Sequence, residues 1–274
     1  MTNNNLLETK YNNEELLRKL KETESKFNEL NRNLEQKVIE RTVEVNRLLL
    51  HKTKFIDHLS HDLGTPLTPL VTLLPIIKDS IDDAKLKEMI ETCIRNVEYI
   101  KRVVQNTQKL AELGTTNLYL KKENLLEIII DIQKKYDIVL KSCDIKLENN
   151  IDEDIYVMTE KSKIIELLDH IISNSVNSMI DGGKLSFYAK IIDKKTGKFI
   201  EISVQDTGVG LVDNQSNHLF DEFYKADESR HKLDSTGLGL TICKRIIEKH
   251  GGKIWAKSPG LNLGTTIYFT IPAA

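Results

Sequence analysis

The chain has 274 residues, of which 29% are charged, and its formal net charge is −2. This balance excludes the broadly basic surface of a general nucleic-acid-binding protein, and no apolar run reaches the roughly 20 residues that a membrane-spanning helix needs, so no membrane contact is expected within this chain. Three widely spaced cysteines without a paired pattern predict a reduced, cytoplasmic protein, or the cytoplasmic portion of a longer one.

Residues 5 to 56 contain neither glycine nor proline and are rich in Glu, Lys, Asn and Leu. Two interleaved apolar series with a seven-residue period run through this segment: Leu20, Phe27, Leu34, Leu48 and Phe55 in one, and Leu17, Val38, Val45 and Leu59 in the other. Such a pair of series is typical of a coiled coil. We therefore predict a dimeric coiled coil over residues 1–50, with a lone surface helix as the alternative.

The coiled-coil spacing changes shortly before His61. The step from Phe55 to Leu59 and the next step to Leu63 both span four residues, which amounts to a four-residue stutter. A stutter locally unwinds a coiled coil. We predict that a twist arriving along the coil is converted here into a change at His61.

Residues 51–114 predict a helical hairpin. Its first helix carries an apolar seam in alternating steps of four and three: Leu59, Leu63, Pro66, Leu70, Leu73 and Ile77. A polar turn near Asp82 and Asp83 should lead to a second helix, which Gly114 can end. That helix repeats the spacing at Leu86, Ile90, Cys93, Val97, Ile100, Val104, Thr107 and Ala111. Because a hairpin with one apolar stripe needs a partner, we expect two copies to form a four-helix bundle.

His61 lies about 180° from the apolar seam of its helix, on the solvent side. Asp62 is its neighbour and Thr65 shares its face, while Pro66 removes a helical hydrogen bond and kinks the helix. The pattern predicts an exposed imidazole with a carboxylate and a hydroxyl close by. On this segment alone, an idle surface histidine is the simpler interpretation, and a metal pair with His58 lacks a third ligand.

Residues 115–121 are predicted to be a linker, and residues 122–274 to form a domain with helices on a mostly antiparallel sheet. The predicted strands are residues 118–120, 144–150, 183–192, 198–206, 253–258 and 265–272. The predicted helices are residues 123–140, 161–179 and 239–251, and KKTG at residues 194–197 is the predicted turn between the third and fourth strands. The fold class is thus a multidomain chain, first α and then α+β.

Two glycine-rich stretches, QDTGVGL and STGLGLTI, lie in this second half. The second Gly-x-Gly begins at Gly237, 27 residues after the first one ends at Gly210. The second opens a helix, so the amides at Gly237 and Gly239 suit phosphate. The first leaves Asp206 at a strand end, where it can accept a hydrogen bond from an adenine amino group. Upstream, the amide oxygen of Asn174 suits Mg²⁺ held jointly with phosphates. Purely structural turns are the alternative, but the order of the three motifs favours nucleotide binding.

Five motifs in this order resemble those of the sensor histidine kinases of two-component signalling. SHDLGTPL is similar to their phospho-acceptor box, HIISNSVNSM to the N box, DTGVGL to the G1 box, LFDEFYKAD to the F box and STGLGLTI to the G2 box. GGKIWAKSPGLNLGTTIYFTIP is similar to their closing strands, and LEQKVIERT to the signalling helix that often precedes them. The resemblance implies a dimerisation and phospho-acceptor hairpin followed by a Bergerat-type α/β sandwich that binds ATP.

The resemblance also implies catalytic roles. His61 would be the phosphorylated imidazole, and Asp62 would accept or orient its proton. Thr65 would help position water when the phosphorylated partner is dephosphorylated, and Lys225 stands where a phosphate-contacting base is common. The phosphoryl group would pass to an aspartate on the receiver domain of a separate response regulator, and the signal would come from an upstream sensor domain or partner.

The implied nucleotide site spans several motifs. Asn174 would hold Mg²⁺, Asp206 would read adenine, and residues 212–236 would form a mobile lid anchored by Phe220 and Phe223. The predicted nucleotide-binding set is Asn174, Asn177, Asp206, Gly208, Gly210, Lys225, Gly237, Leu238, Gly239 and Thr265.

Five positions depart from the family pattern. Gly64 replaces the usual Arg of the phospho-acceptor box, His170 stands where an Asn is usual, Asn177 and Ser178 replace a common Lys and Tyr, and Ser235 replaces the first Gly of the G2 box. Three rival functions follow. An ATPase of the same superfamily would need a Glu at position 170, a serine kinase would not need His61, and a non-catalytic dimeric scaffold would explain the departures as decay.

Overall fold

The computed structural model describes residues 2–194, 197–212, 215–225 and 235–274, with side chains from residue 18 onwards. The chain divides into two compact units, Met1–Lys52 and Thr53–Ala274. Helix α1 (Thr2–Asp79) begins in the first unit and ends in the second. Among the described residues, no helix combines the length and the apolar character that crossing a lipid bilayer requires.

The first unit consists of helix alone, and its described side chains are all exposed to solvent. Leu20, Phe27 and Leu34 of the predicted seam are 53% to 63% exposed. Most of a helix's stability comes from packing its apolar face rather than from intrinsic propensity. The uncovered seam therefore supports the prediction that this helix pairs with another one.

The second unit begins with the predicted hairpin. Helix α1 ends at Asp79, and α2 (Ala84–Thr115) begins after a short turn. Asp83 caps α2, because its carboxylate accepts hydrogen bonds from the backbone N–H groups of Lys85 and Leu86 at 2.8 and 3.1 Å. The polar turn predicted near Asp83 is confirmed.

Helix α2 ends within the LGTTN stretch, as predicted, but Gly114 is not the residue that stops it. The helix includes Gly114 and ends at Thr115, and the Thr116 N–H donates to the Glu112 carbonyl at 3.0 Å. Gly114 is absent from the glycines with positive φ, so it does not provide the left-handed residue with which many helices stop.

The hairpin carries two apolar stripes. Leu67 on α1 and Val97 on α2 are each 9% exposed and form its interior. The seam predicted from the sequence faces outward, with exposures between 43% and 52% at Leu59, Leu63, Leu70, Leu73 and Ile77. The hairpin thus has its own interior and a second stripe on its surface, which supports the predicted bundle of two copies.

The remainder of the second unit is the predicted α+β domain. Its helices are α3 (Leu125–Ser142), α4 (Lys161–Ser178), the short α5 (Gln215–His218) and α6 (Gly239–Lys249). Its strands are β1 (Lys121–Asn124), β2 (Ile145–Asn150), β3 (Tyr156–Thr159), β4 (Gly183–Lys194), β5 (Gly197–Asp206), β6 (Ile254–Lys257) and β7 (Thr266–Pro272).

The main sheet has the strand order β2-β4-β5-β7-β6. Only β2 and β4 pair in parallel, so the predicted mostly antiparallel sheet is confirmed. Strands β1 and β3 form a separate antiparallel pair. The strand predicted at residues 118–120 is wrong, because β1 starts one residue later, and the sequence analysis missed β3 and α5. The predicted KKTG turn includes residues 195–196, which lie outside the described residues.

One continuous core joins the helices to the sheet. It is built largely from aliphatic residues of α3, α4 and α6 packed on residues of the sheet, and its fully buried members include Ile128, Leu168, Phe187, Ile246 and Phe269. The strands alternate between this core and solvent, as a sheet with one covered face requires. The sheet thus holds the end of β5 and the start of α6 in fixed positions.

Candidate nucleotide-binding and phospho-acceptor sites

His61 lies on the exposed surface of α1, and its side chain is 81% exposed. Its Nδ1 atom is 3.2 Å from the Oδ1 atom of Asp62. The Thr65 hydroxyl donates to the His61 carbonyl at 2.9 Å, and Pro66 has no N–H to offer the Asp62 carbonyl. His61, Asp62 and Thr65 thus lie within about one turn of α1, with the Asp62 carboxylate beside Nδ1 and Nε2 directed away from it.

Gly64 interrupts the same turn of α1. A Cβ atom built at Gly64 would meet nothing within 4 Å. Neither steric crowding nor a positive φ requires glycine there. The residue lowers helix propensity without an evident packing reason.

Asp206 is the most enclosed carboxylate of the predicted nucleotide site, with 6% exposure at the end of β5. Its Oδ1 atom accepts hydrogen bonds from the backbone N–H groups of Gly208 at 2.9 Å and Thr265 at 3.1 Å, and its Oδ2 atom accepts one from the Ser175 hydroxyl at 3.2 Å. Burial raises the pKa of Asp206, although the hydrogen bonds oppose this rise. Ser175 is a partner that the sequence analysis missed, since a serine beside an Asn in a helix carries no distinctive signal.

The G1 glycines are packed against the protein's own backbone. A Cβ at Gly208 would lie 2.1 Å from the Ser178 hydroxyl oxygen, and one at Gly210 would lie 2.1 Å from the Gly260 carbonyl. Gly210 also has a φ of +67°. Any other residue at these two positions would displace the turn that carries Asp206.

The G2 turn meets the F box at Gly237. Gly237 has a φ of +70°, and its carbonyl accepts a hydrogen bond from the Phe223 N–H at 3.0 Å. This contact places Lys225 two residues from the turn. Phe220 is buried, whereas the Phe223 side chain is 60% exposed and Phe223 contacts the G2 turn through its backbone. Anchoring of the lid by these two residues stays a prediction. Within the predicted lid, residues 213–214 and 226–234 lie outside the described part of the chain.

Helix α6 begins at this turn without a side-chain cap. The Leu238 N–H donates to the Thr236 hydroxyl at 3.3 Å, and Gly239 is the first helical residue. The end of a helix where N–H groups point outward attracts anions. The G2 turn therefore lies at the end of α6 that attracts anions.

Asn174 and Asn177 lie on α4 with exposed side chains. Neither side chain makes a hydrogen bond within the part of the chain that the structure describes. In the same part, no group of three or more His, Cys, Asp or Glu could hold a metal ion. Asn174 lies directly beside Ser175, the partner of Asp206, and both therefore belong to the same end of the site.

His170 lies one turn before Asn174, with little exposure. A Cβ at Gly239 would lie 3.1 Å from its Nδ1 atom, and its Nε2 atom has no hydrogen-bond partner among the described residues. Burial lowers the pKa of His170, and the nearby Lys109 ammonium lowers it further. A neutral imidazole therefore packs where a phosphate-site helix begins, and no carboxylate occupies this position.

Two family models match the chain. The His Kinase A (phospho-acceptor) domain matches residues 51–116, and the histidine kinase-, DNA gyrase B- and HSP90-like ATPase matches residues 159–274. The first match contains the His61 turn, and the second contains the glycine-rich turns around Asp206 and Gly237. Together they define the class as a phospho-acceptor hairpin joined to an ATPase domain.

The chain is also similar in sequence to sensor proteins of known name. The chain is 30% identical over 243 residues to the sensor histidine kinase WalK of Bacillus subtilis (strain 168), which covers 86% of this chain and 39% of that protein. It is 27% identical over 244 residues to drug sensory protein A of Synechocystis sp. (strain ATCC 27184 / PCC 6803 / Kazusa), covering 85% and 36%. The chain thus spans less than two fifths of the length of these relatives. The two family models and these relatives together support a sensor histidine kinase catalytic core in this chain.

Solved structures share the fold. Full-length ShkA in complex with AMPPNP aligns with a TM-score of 0.62 at 19% identity, over 81% of this chain and 46% of that one. The histidine kinase ThkA in complex with the response regulator protein TrrA aligns with a TM-score of 0.58 at 21% identity, over 81% and 61%. At these identities the likeness is one of architecture: a helical region followed by a sheet covered by helices.

Proposed function

We propose that this chain binds ATP and phosphorylates itself on His61, and that the phosphoryl group then passes to an aspartate of a response regulator. The observation that carries the proposal is the combination of two sites in one chain. One is the buried Asp206 in the first of two glycine-rich turns, and the other is the exposed His61 with Asp62 on one ring nitrogen.

Asp206 would select the base. Its carboxylate is fixed by the Gly208 and Thr265 amides and the Ser175 hydroxyl, so its orientation is set before a ligand arrives. A carboxylate only accepts hydrogen bonds, and it therefore favours a base edge that presents an amino group. The exocyclic amino group of adenine meets this requirement. The G2 amides and the Lys225 ammonium would then receive the phosphates.

The side chain of Asn174 fits a shared metal site. It is exposed beside the Asp206 cluster, and its amide oxygen is a ligand type that Mg²⁺ accepts. When bound, Mg²⁺ would neutralise part of the phosphate charge. Asn174 would supply one ligand, with phosphate oxygens and water supplying the others.

His61 would be the nucleophile. The Asp62 carboxylate can accept a hydrogen bond from Nδ1–H, which holds the ring in the tautomer that leaves the Nε2 lone pair available. Nε2 would form a bond to the γ-phosphorus while the bond from that phosphorus to the ADP oxygen breaks, and ADP leaves. Asp62 stabilises the positive charge that the imidazole gains. Thr65 would act later, in a phosphatase step toward the partner, by positioning water.

The proposed partners follow from the same surfaces. The outward seam on α1 and the exposed first unit favour a homodimer through the coiled coil and a four-helix bundle. The structural relative ThkA is in complex with a response regulator, which supports a receiver domain as the phosphoryl acceptor here. An upstream sensor domain or partner, a cytoplasmic location, and the boundaries at residues 50, 114 and 121 stay predictions.

The rival ATPase function finds little support at position 170. A water-activating carboxylate is needed there, but the structure has a partly buried imidazole whose pKa is lowered by burial. A serine kinase would leave the His61 cluster unexplained. A non-catalytic scaffold would leave the preorganised Asp206 cluster unexplained.

Incubation with ATP labelled at the γ-phosphate, in the presence of Mg²⁺, tests the proposal. We expect acid-labile, alkali-stable label on the protein, with no label on the His61→Ala variant. His58→Ala is the matched control, because His58 is also an exposed histidine on α1, and it should be labelled like the wild type. Steady phosphate release without labelled protein would favour the ATPase, and neither label nor release would favour the scaffold.

A further inference from the structure

Helix α2 touches the ATP-binding domain on the face that carries Tyr99, Asn106 and Lys109. We infer that this face is a clasp that holds the domain in a docked state with low affinity for ATP. The inference rests on the proposed function, because it concerns groups proposed to bind the phosphates. The three residues are seven and three positions apart, which places them within an arc of about 80° on the helix.

Each clasp residue contacts a different part of the domain. The Asn106 amide nitrogen donates to the Thr236 hydroxyl at 3.0 Å. The Lys225 ammonium lies 5.3 Å from the centre of the Tyr99 ring, within the range of a cation–π contact. The Lys109 ammonium lies 2.8 Å from a carboxylate oxygen of Glu166, which is 17% exposed.

Two of these contacts bear on groups proposed to bind phosphate: Tyr99 contacts Lys225 directly, and Asn106 acts on Leu238 through Thr236. Thr236 is buried, and its hydroxyl oxygen accepts both from the Asn106 amide and from the Leu238 N–H. Asn106 therefore fixes the side chain that satisfies Leu238, one of the amides proposed to face phosphate. The Lys225 cation rests on Tyr99 instead of projecting from the turn. ATP must therefore replace the Thr236 contact of the Leu238 N–H and the Tyr99 contact of the Lys225 ammonium before its phosphates can bind these two donors.

The clasp is anchored by apolar packing farther along α2. Leu113 is 4% exposed within the core of the domain, and Leu110 packs against that core. Hydrogen bonds from Lys109 and Lys163 outweigh the effect of burial and hold the pKa of Glu166 below its usual value, which agrees with a charged pair at this junction. The end of α2 thus remains attached while its Tyr99–Asn106 part competes with the ligand.

Competition of this kind makes docking and nucleotide binding reciprocal. A state in which donors are already satisfied binds phosphate more weakly than a state in which they are available. Weakening the clasp should therefore raise the affinity for nucleotide, and saturating nucleotide should loosen the clasp by the same factor.

The test measures the Kd of Mg²⁺–AMPPNP by calorimetry with the full chain, as wild type, Asn106→Ala and Lys109→Gln. Loss of one hydrogen bond should lower the Kd of Asn106→Ala by about threefold to tenfold. Lys109→Gln should also lower the Kd, although Lys109 does not contact the groups proposed to bind phosphate. This second variant still tests the inference if Asn106→Ala does not fold. Asn96→Ala is the matched control, since the Asn96 amide donates only to the Thr92 carbonyl of its own helix, and its Kd should equal that of the wild type.

Three outcomes separate the clasp from the function on which it rests. Tighter binding by both variants, together with faster amide hydrogen exchange over residues 99–109 when nucleotide is added, supports the clasp. Unchanged or weaker binding by both variants, while the wild type binds, overturns the clasp alone. A wild-type chain that binds no nucleotide overturns the proposed function and the clasp together.

Discussion

Asp206 combines two properties at the residue scale. It is almost fully buried, so its charge is costly, yet three donors of its own domain hold it in place. A carboxylate kept for structure alone would be replaceable by a neutral amide. One kept for recognition would not, and this difference can be measured.

We expect Asp206→Asn to weaken the binding of Mg²⁺–AMPPNP by about 10- to 100-fold, because a hydrogen bond to a charged acceptor is lost. The Asn oxygen can still accept from Gly208 and Thr265, so the free energy of unfolding should change by less than about 1 kcal/mol. Calorimetry and urea unfolding give the two values. Asp152→Asn, an exposed control, should change neither, and equal losses in binding and stability would show that Asp206 is merely structural.

His250 is buried in a fixed protonation state. Its Nδ1 atom lies 2.8 Å from the Ile246 carbonyl and must donate to it, whereas its Nε2 atom lies 2.9 Å from the Thr159 hydroxyl and 3.4 Å from the Glu160 N–H, which can only donate. Burial lowers the pKa of His250, although the Ile246 carbonyl and the Glu160 carboxylate oppose this. Protonation of Nε2 would set two donors against each other.

The lowered pKa of His250 makes the folded protein less stable in acid. Because the folded pKa lies below the unfolded value of about 6.5, the unfolded chain binds more protons in mildly acidic solution. The stabilisation from neutral His250 is complete above pH 6.5 and is lost as the pH falls toward the folded pKa. Urea unfolding of His250→Gln between pH 7.5 and 5 should show a flatter decline than the wild type, and an equally steep decline would contradict this account.

The candidate site residues that belong to local motifs could be predicted from the sequence. The carboxylate at Asp206 and the glycines at Gly208, Gly210 and Gly237 carry strong local patterns, and the structure places Gly208 on the Asp206 carboxylate and Gly237 just before α6. Ser175, Thr236 and Asn106 were not predictable as partners, because their contacts depend on how separate elements pack and no local pattern records it.

At the scale of elements, the sequence predicts a helix or strand correctly where the element is long enough to show a periodic apolar pattern. Helices α3, α4 and α6 have long apolar repeats and were predicted within a few residues. Strand β3 has only four residues and α5 only four, so neither contains enough of a period to be recognised. In the hairpin, spacing alone identified the outward seam but missed the Leu67 stripe, since two stripes on one helix give overlapping repeats.

Helix α1 offers a test of Gly64. A Cβ there meets nothing within 4 Å, so Gly64→Ala should raise the free energy of unfolding of the hairpin by up to about 1 kcal/mol through helix propensity alone. Thermal unfolding monitored by circular dichroism measures the change. Gly237→Ala is a contrasting variant, because its Cβ would meet the Phe223 backbone at 2.7 Å and should destabilise. A destabilised Gly64→Ala chain would mean that glycine serves the bend predicted at Pro66.

At the scale of the whole molecule, the outward seam predicts association. A stripe of leucines that is about half exposed along one helix is more apolar surface than a monomer normally leaves in water. We expect Leu73→Lys to weaken dimerisation strongly in analytical ultracentrifugation, because it places a charge in the proposed bundle. Thr72→Lys adds the same charge next to it, on the face that carries His61, and should leave the dimer intact. Equal effects of both would argue against the seam as the interface.

The central claim is that His61 accepts a phosphoryl group from ATP bound beside Asp206. It is tested most directly by phosphorus NMR of the chain after reaction with Mg²⁺–ATP. Because Asp62 engages Nδ1 at 3.2 Å, the account predicts a phosphohistidine resonance from the Nε2 isomer that is missing from His61→Ala. A resonance from the Nδ1 isomer, or a phosphohistidine that persists in His61→Ala, would contradict it.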